Sequence, residues 1–438
     1  MRVISLCIIF MPFFLKVFCQ QGENIINNKI VLSEDAAWCW FSDPRVVHYK
    51  GDKEAVYFSF INSKGDVMIK SFNLLTKRID KFTLHKELQV DDHNVPSILI
   101  LPDGKLLAFY NEHNGSIFMR RSRNPEDISD WEEETVLLKK DNKNRYCYTN
   151  PIMLSNENNR IYLFGRNIVR NESGTYTDTR TYCIYSDNLG KTWSNELNLL
   201  HNNMINDRPY VKYNSDNKSR IDFLFTNGHP THRSDVSLFH MYYEDGIFYQ
   251  TNGSKLSGFE DVPININSIN KVYDANISNV NSWIWDIALD QNKIPVVAYV
   301  KFTSELEHIY SYARWNGKEW EEYDIVDAGK YITKIKPGEK LREPHYSGGI
   351  VFDHKNPENL FLSRKIDGVF EIEKKTRVKK GLWITESITT NSKIDNLRPF
   401  VVNSKGENSS ILLWMEGSYY HYTDFETKLI FKEIQYSK

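Results

Sequence analysis

Short apolar runs separated by turn residues recur along this chain and constrain its fold more than any other sequence feature. Residues 55–61 and 66–72 flank a turn that contains Gly65, and residues 97–101 and 106–110 flank a Pro-Asp-Gly turn. Apolar and polar residues that alternate between such turns are typical of β-hairpins. Beyond the apolar N-terminus, no stretch keeps a 3.6-residue apolar period long enough to predict a helix. The sequence therefore predicts an all-β fold of four-stranded units.

One turn motif marks these units as repeats. Residues 186–193 read Ser-Asp-Asn-Leu-Gly-Lys-Thr-Trp, and a weaker copy occupies residues 314–320. We expect Ser186 and Asp187 to accept hydrogen bonds from backbone amides, Gly190 to take a positive φ angle and Trp193 to pack between sheets. The motif resembles the Asp-box of sialidase-like propellers.

The length of the chain indicates how many units there are. At roughly 50 to 60 residues per blade it predicts a seven-bladed β-propeller, although six or eight blades also fit the count. Residues 410–434 are expected to share a blade with the N-terminal strand, because propellers close in this way to avoid an open sheet edge.

The first 19 residues have the layout of an export signal. Arg2 precedes an apolar run over residues 3–14, and Cys19 comes directly before polar Gln20. We therefore predict a signal peptide over 1–19, a single propeller catalytic domain over 20–438, no membrane span, and a secreted or periplasmic protein. A lipid anchor on Cys19 is the alternative, which bulky Phe18 disfavours.

The net charge limits which partners the protein can attract, and the number of cysteines limits which disulfide bonds it can form. With 55 basic and 57 acidic residues the net charge is -2, so no overall field attracts nucleic acid, and an acidic ligand must be recognised locally. After removal of the signal, Cys39, Cys147 and Cys183 are an odd number that cannot form a complete disulfide framework. We expect core thiols in a monomer; the alternatives are a single disulfide or one thiolate on a metal. His229, His240 and Cys183 are ligand types that a structural zinc takes; alternatively, His229 shapes a turn beside Pro230.

Polar residues cluster where strands begin and end. The string Asp91-Asp92-His93-Asn94 precedes one strand, and His113 follows the neighbouring strand. Because a tight turn joins these two strands, their far ends should lie side by side and place both imidazoles on one rim. The alternative is that His93 caps a turn and His113 is an ordinary surface histidine.

A second pair of strands repeats this arrangement. Tyr148 leads into one strand and Arg166 ends the next, and Arg208 and Tyr210 stand at the start of a later strand. A buried arginine requires an acidic partner or an anionic ligand, because an unpaired buried charge costs several kcal/mol.

The sequence resembles a known family over nearly the whole chain after the predicted signal. The strings that carry the resemblance to BNR-repeat propellers, which include the ulvan lyases, are residues 38–45, 91–94, 103–110, 228–230, 240–243 and 345–349. The same superfamily includes enzymes that release rhamnose from glucuronic acid.

The resemblance implies roles for particular residues. It places His93, His113, Tyr148 and Arg166 in catalysis, and Tyr210, Arg208 and Asn94 at the substrate; Tyr146 competes with Tyr148, because the position of an insertion at 156–159 is open. Arg166 would neutralise a uronate carboxylate, and Tyr148, with a pKa lowered by the arginine, would serve as acid and base. His93 is the alternative base, oriented by His113. No cofactor is required by this scheme.

Two other functions fit the same sequence. A glycoside hydrolase usually needs a pair of carboxylates, which Asp91, Asp92 and Glu112 could supply. A non-catalytic glycan-binding propeller would need only aromatic platforms. The lyase, acting on an acidic, uronic-acid-containing polysaccharide such as ulvan, is the function that the retained histidines, tyrosine and arginine favour.

Overall fold

A computed structural model describes residues 29–201, 208–331, 340, 343–344, 346–402 and 409–436. Within these ranges the chain forms seven antiparallel sheets; the first strands of most neighbouring blades contact one another, and blades 3 and 4 share an apolar cluster. This confirms the all-β, seven-bladed β-propeller. The predicted signal peptide and Cys19 lie outside the described residues.

The strands follow one another around the ring in chain order. The first described strand, β1 (Ile30–Ser33), belongs to the last blade. Blade 1 contains β2 (Val46–Lys50), β3 (Glu54–Ile61), β4 (Val67–Asn73) and β5 (Ile79–His85). Blade 2 contains β6 (Ser97–Ile100), β7 (Leu106–Asn111), β8 (Ile117–Arg121) and β9 (Thr135–Leu138). Blade 3 contains β10 (Asn144–Leu154), β11 (Arg160–Arg170), β12 (Tyr176–Ser186) and β13 (Leu197–Asn198).

Blade 4 departs from the four-stranded pattern. It contains β15 (Val211–Ser215), β16 (Arg220–Thr226), β17 (Leu238–Glu244), β18 (Ile247–Gln250), β19 (Lys255–Gly258) and β21 (Lys271–Tyr273), and β14 (Leu200–His201) pairs in parallel with β20 (Ile264–Asn265). The described helices are α1 (Ala275–Ser278) and four 3₁₀ turns at Asp92–Asn94, Ser155–Glu157, Phe259–Asp261 and Ile266–Ser268. None of the described helices is long and apolar enough to cross a membrane.

The last three blades return to four strands each. Blade 5 contains β22 (Asn281–Leu289), β23 (Pro295–Ser304), β24 (Glu307–Trp315) and β25 (Trp320–Gly329). Blade 6 contains β26 (Ile350–Phe352), β27 (Asn359–Ile366), β28 (Val369–Lys379) and β29 (Leu382–Ser387). Blade 7 contains β30 (Asn396–Val402), β31 (Ser409–His421), β32 (Asp424–Gln435) and β1. The pairing of β1 with β32 confirms that the C-terminal segment shares a blade with the N-terminal strand.

The turn motif at residues 186–193 holds together as expected, with one difference. Gly190 has a φ of 80° and donates its N–H to the Ser186 hydroxyl at 2.8 Å, and the Trp193 ring contacts Phe109 of blade 2 at 5.7 Å. Asp187, however, pairs with the Arg160 guanidinium at 2.6 Å, and it accepts no hydrogen bond from a backbone amide of the described residues, contrary to expectation. The three predicted core thiols are buried and free, which confirms that prediction.

Candidate active site

A cavity of about 510 Å³ opens on one end of the ring of blades. The turns between second and third strands contribute His113, His229 and Tyr422, and the segments before first strands contribute His93, Arg208 and Tyr346. In an antiparallel blade these two kinds of segment lie at the same end. Together with Trp40 before blade 1 and Tyr148 in blade 3, they bring side chains from six of the seven blades to one space. Its size is typical of a pocket that binds a small-molecule ligand.

Two stacked imidazoles share one carboxylate in this cavity. The rings of His93 and His113 lie 4.1 Å apart and are nearly parallel, at 9°. The Nδ1 atom of His93 is 2.6 Å from one Asp91 oxygen, and that of His113 is 2.8 Å from the other. Both Nδ1 atoms are thereby engaged, which leaves the Nε2 atoms for proton transfer. The structure thus brings both predicted histidines together on one rim.

The surroundings give the two imidazoles different proton affinities. Burial would lower the pKa of His93, but the Asp91 and Asp92 carboxylates outweigh it and raise that pKa to about 9. Burial and the neighbouring charge of His93 lower the pKa of His113 to about 4, despite Asp91. At neutral pH His93 is therefore protonated and positively charged, and His113 is a neutral imidazole.

A second carboxylate anchors the pair to blade 7. Asp92 is buried, and its Oδ2 atom accepts hydrogen bonds from the Arg398 guanidinium and, at 2.8 Å, from the Tyr419 hydroxyl. Arg398 and Tyr419 both line the cavity, and sequence reasoning missed them. A signal for Arg398 was present, since Arg398-Pro399-Phe400 repeats the arginine-proline-aromatic order of residues 208–210.

Tyr148 lines the cavity because the strand that carries it is interrupted. The pairing of β10 with β11 shifts register between Cys147 and Asn150, and Tyr148 has a φ of 68°. This bulge turns Tyr148 to the opposite side from Tyr146, whose hydroxyl donates to Glu196 at 2.7 Å away from the cavity. Between the two competing tyrosines, the structure therefore places Tyr148 in the cavity.

The ionisation expected for Tyr148 needs correction. Burial raises the pKa of its phenol well above the usual value, and Arg166, which acts in the opposite sense, does not overcome this. The Arg166 guanidinium carbon lies 4.8 Å from the Tyr148 ring centroid. Tyr148 is therefore a protonated phenol at neutral pH, which suits an acid and does not suit the base that was also expected.

Arg166 is a buried cation that faces the cavity. Its side chain stacks between Tyr148 and the ring of Tyr210, which lies 4.9 Å away, and it donates one hydrogen bond, at 3.3 Å, to Asn114. Its Nε atom is buried without a hydrogen-bond acceptor, and among the described residues the groups that act on its charge are tyrosines and a cysteine rather than a carboxylate. This arrangement fits an anionic ligand, one of the two partners that the sequence required for a buried arginine.

The far side of the cavity is formed mainly by blade 4. Nε2 of His229 shares a hydrogen bond of 2.7 Å with the Tyr346 hydroxyl, and its Nδ1 shares one of 2.7 Å with the Thr231 hydroxyl. Arg208 and Tyr210 line this side, where the sequence expected them at the substrate. Tyr346 belongs to the string 345–349 that carried the family resemblance, whereas His345 lies outside the described residues.

Asn94 does not line the cavity, contrary to the expectation that it binds substrate. It is fully buried beneath the histidine pair, and its amide donates to the backbone and side-chain oxygens of Gln89 at 3.3 and 3.2 Å. Gln89 in turn accepts from the His113 backbone N–H at 2.9 Å. Asn94 therefore shapes the loop that carries the site, because a 3₁₀ turn over Asp92–Asn94 directs its side chain inward.

The structure does not bring the three proposed zinc ligands together. His229 lies in the cavity, His240 is buried in blade 4 against Asp222 at 3.1 Å, and Cys183 packs in the apolar core of blades 3 and 4. Among the described residues, the groups of histidine, cysteine and carboxylate atoms close enough to share a metal do not include any of the three. The three residue types and their spacing in the sequence suggested zinc ligands, but they do not show on which face of its strand each side chain lies.

This chain is similar to known proteins in sequence family and in fold. The model of the BNR repeat-containing family matches residues 55–328. An ulvan lyase of polysaccharide lyase family PL25, solved bound to -[GlcA(1-4)Rha3S]-, superposes with a TM-score of 0.68 at 16% identity, covering 92% of this chain and 95% of the other. A second structure of such an ulvan lyase gives 0.66 with the same identity and coverage. No curated protein shows significant sequence similarity.

Proposed function

This chain belongs to the BNR repeat-containing family, and we propose that it is a polysaccharide lyase that cleaves a uronic-acid-containing polymer such as ulvan by β-elimination. The observation that carries the proposal is Arg166, a buried guanidinium without a carboxylate partner among the described residues, beside a histidine pair and a phenol in one cavity. Export through the predicted signal, residues 1–19, would bring the enzyme to its polymeric substrate.

In the proposed reaction Arg166 neutralises the carboxylate of the uronic acid, which is the first requirement of the elimination. The proton on C5 of a uronic acid is too weakly acidic to remove while the adjacent carboxylate keeps its negative charge. A guanidinium can bind both carboxylate oxygens and neutralise them, and at a buried position its charge acts more strongly than in bulk water. His93, as the protonated ring of the pair, adds a second positive charge on the same side of the cavity.

The neutral imidazole of His113 is the base. Its Nδ1–H donates to Asp91, so the Nε2 lone pair is available to take the C5 proton. The electrons of the C5–H bond form the C4=C5 double bond as the C4–O bond breaks. The departing oxygen takes the phenolic proton of Tyr148. The proton on His113 then returns to the phenolate through solvent, which restores the site.

Several aromatic residues of the cavity serve to hold the sugar chain. Trp40, Tyr210 and Tyr346 line the cavity, and the buried Trp285 stacks on Trp40 at 4.2 Å. Flat rings of this kind pack against the apolar faces of pyranose units while their hydroxyl groups bond to sugar oxygens. These residues bind and orient substrate in the proposal, together with Arg208.

The carboxylates that a hydrolase would use are committed elsewhere. Asp91 is 2% exposed and bonded to both imidazoles, and Asp92 is 1% exposed and bonded to Arg398 and Tyr419. Glu112 is absent from the cavity lining, and its carboxylate accepts from the Ser116 backbone. A paired acid and base of the glycosidase type is therefore not formed by the three residues that the sequence suggested.

An absorbance assay tests the proposal. The purified protein is incubated with ulvan and with other uronate polymers, and both ultraviolet absorbance of the unsaturated uronate and new reducing ends are followed. We expect both signals to rise together. Reducing ends without absorbance would overturn the lyase in favour of a hydrolase, and binding with neither signal would overturn it in favour of a glycan-binding propeller.

A further inference from the structure

We infer that Cys39, Asp92 and His93 form a binding site for a zinc-like divalent cation, and that a cation bound there inhibits the enzyme. The binding follows from the structure alone. The inhibition rests on the proposed function, because it requires His93 to take part in turnover. The site differs from the one expected at His229, His240 and Cys183 and shares no residue with it.

The three side chains offer a suitable set of ligand atoms. One thiol sulfur, one carboxylate oxygen and one ring nitrogen lie within 4.8 Å of one another. Thiolate, imidazole and carboxylate are the ligands that zinc takes in proteins, and a site with three protein ligands leaves its fourth position open. All three residues line the same cavity, so the fourth position would face the space that receives substrate.

An unsatisfied oxygen points to the same place. Oδ2 of Asp92 is held by Arg398 and Tyr419, whereas Oδ1 is buried without a hydrogen-bond donor among the described residues. Nδ1 of His93 lies 3.1 Å from this oxygen but donates to Asp91. This oxygen therefore has an ion-pair contact with His93 but, within the described chain, no hydrogen-bond donor of its own, and a cation bound at this position would coordinate it directly.

The backbone holds the thiol and the carboxylate together before any cation arrives. The Cys39 backbone N–H donates to the Asp92 carbonyl oxygen at 3.1 Å. In the free protein Cys39 carries its proton, because burial raises the pKa of the thiol. Binding therefore exchanges protons for the cation: the thiol and the protonated imidazole each release one, and sulfur and nitrogen each donate an electron pair. Affinity should accordingly fall as the pH is lowered.

A bound cation would disable the histidine pair. His93 could no longer carry its proton, and the new positive charge would lie beside His113 and compete for Asp91, which orients both rings. A ligated His93 would also change the position of the ring stacked on His113 at 4.1 Å. The acid–base balance that the proposed reaction needs would be lost.

Cobalt(II) is the probe for binding, because a thiolate ligand gives it a charge-transfer absorption band in the near ultraviolet. The full-length, metal-free protein is titrated with cobalt and then with zinc, which displaces it. We expect one equivalent to bind with this band. Cys39→Ser should abolish the band and weaken zinc binding by more than the roughly 10- to 100-fold that loss of an outer-shell partner costs. Cys183→Ser, which replaces another buried thiol, should change neither.

A second variant keeps the test decisive if Cys39→Ser fails to fold by circular dichroism. His93→Gln removes the nitrogen ligand, and we expect weaker zinc binding while the thiolate band persists at saturating cobalt. Absence of saturable binding to the native protein, or a band that survives Cys39→Ser, would overturn the proposed site. If turnover is observed, equal activity with zinc-saturated and zinc-free protein would overturn the inhibition alone.

Discussion

Arg166 combines burial, positive charge and a position in the cavity. It is 5% exposed, and among the described residues its hydrogen-bond partner is an amide oxygen rather than a carboxylate. The rings of Tyr148 and Tyr210 stabilise this buried cation, and an anion that binds beside it would stabilise it further. At the residue scale, this guanidinium distinguishes the site from a neutral sugar-binding cleft.

Arg166→Ala should lower kcat/KM on a uronate polymer by about 100- to 1,000-fold, because an electrostatic contact to the reacting group is lost. Steady-state kinetics on the absorbance assay measure this. Arg170→Ala is the matched control, since Arg170 ends the same strand but does not line the cavity, and it should leave kcat/KM unchanged. Equal losses in the two variants would contradict a specific role for Arg166.

The histidine pair predicts a bell-shaped pH profile. Its base must be neutral, so kcat/KM should rise with pH through the pKa of His113, about 4. Its second ring must be protonated, so kcat/KM should fall through the pKa of His93, about 9. The profile of kcat/KM reports groups of the free enzyme, which is the state described here.

Asp91→Asn should shift the alkaline limb of that profile. The carboxylate raises the pKa of His93 above its ordinary value of 6.5, so its removal should move the limb toward lower pH. The same variant loses an orienting contact to both rings and should also lower the maximum rate. An alkaline limb that stays in place would show that His93 does not set it.

Residue-level prediction from sequence succeeded where two strands share a turn. His93 with His113 could be placed on one rim because adjacent hairpin strands have adjacent ends. Arg398 could not be placed in this way, because it meets Asp92 from 306 positions away. Asn94 was misplaced because its position in the sequence gave no information about the short 3₁₀ turn that directs its side chain inward.

At the scale of elements, bulges in the first strands of blades determine which side chains reach the cavity. Register shifts interrupt β10 at Tyr148 and β30 at Arg398, and both residues have positive φ angles, of 68° and 50°. Gly165 on the neighbouring strand permits the first bulge, because a Cβ there would lie 2.3 Å from the Tyr148 carbonyl oxygen. Alternation of apolar residues predicts strands but not such interruptions, which is why Tyr146 and Tyr148 could not be separated by sequence.

The bulge predicts opposite results for two Tyr→Phe variants. Tyr148→Phe should lower kcat about 100- to 10,000-fold with little change in thermal stability, because it removes the proposed acid. Tyr146→Phe should keep activity but lower the free energy of unfolding by about 1 to 3 kcal/mol, because it loses a hydrogen bond to Glu196. Kinetics and denaturant unfolding of both variants check this. The reverse pattern would contradict the assignment.

At the scale of the whole molecule, the ring is closed by pairing the two ends of the described chain. β1 provides the outer strand of blade 7 through pairs such as Ile30 with Phe431. This closure was predictable from the need to avoid an open edge. Seven blades were the expected number, although the repeat length also allowed six or eight. The distribution of the cavity over six blades was not predictable, because it depends on how all seven sheets are arranged around one axis.

Closure predicts that a buried residue of β1 stabilises the entire ring. Leu32 is 2% exposed and Leu75 is 87% exposed. Leu32→Ala should lower the free energy of unfolding by about 2 to 5 kcal/mol, whereas the matched variant Leu75→Ala should change it little. Thermal and denaturant melting provide the comparison. Equal stability of the two variants would mean that β1 contributes little to the closed ring.

Cleavage of a uronate polymer in heavy-oxygen water, followed by mass spectrometry of the fragments, tests the central claim most directly. Elimination breaks the bond between C4 and oxygen without adding water, so we predict fragments with an unsaturated uronate end and no oxygen from solvent. Saturated fragments that carry one solvent oxygen per cut would contradict the account, because they would show hydrolysis in the same cavity.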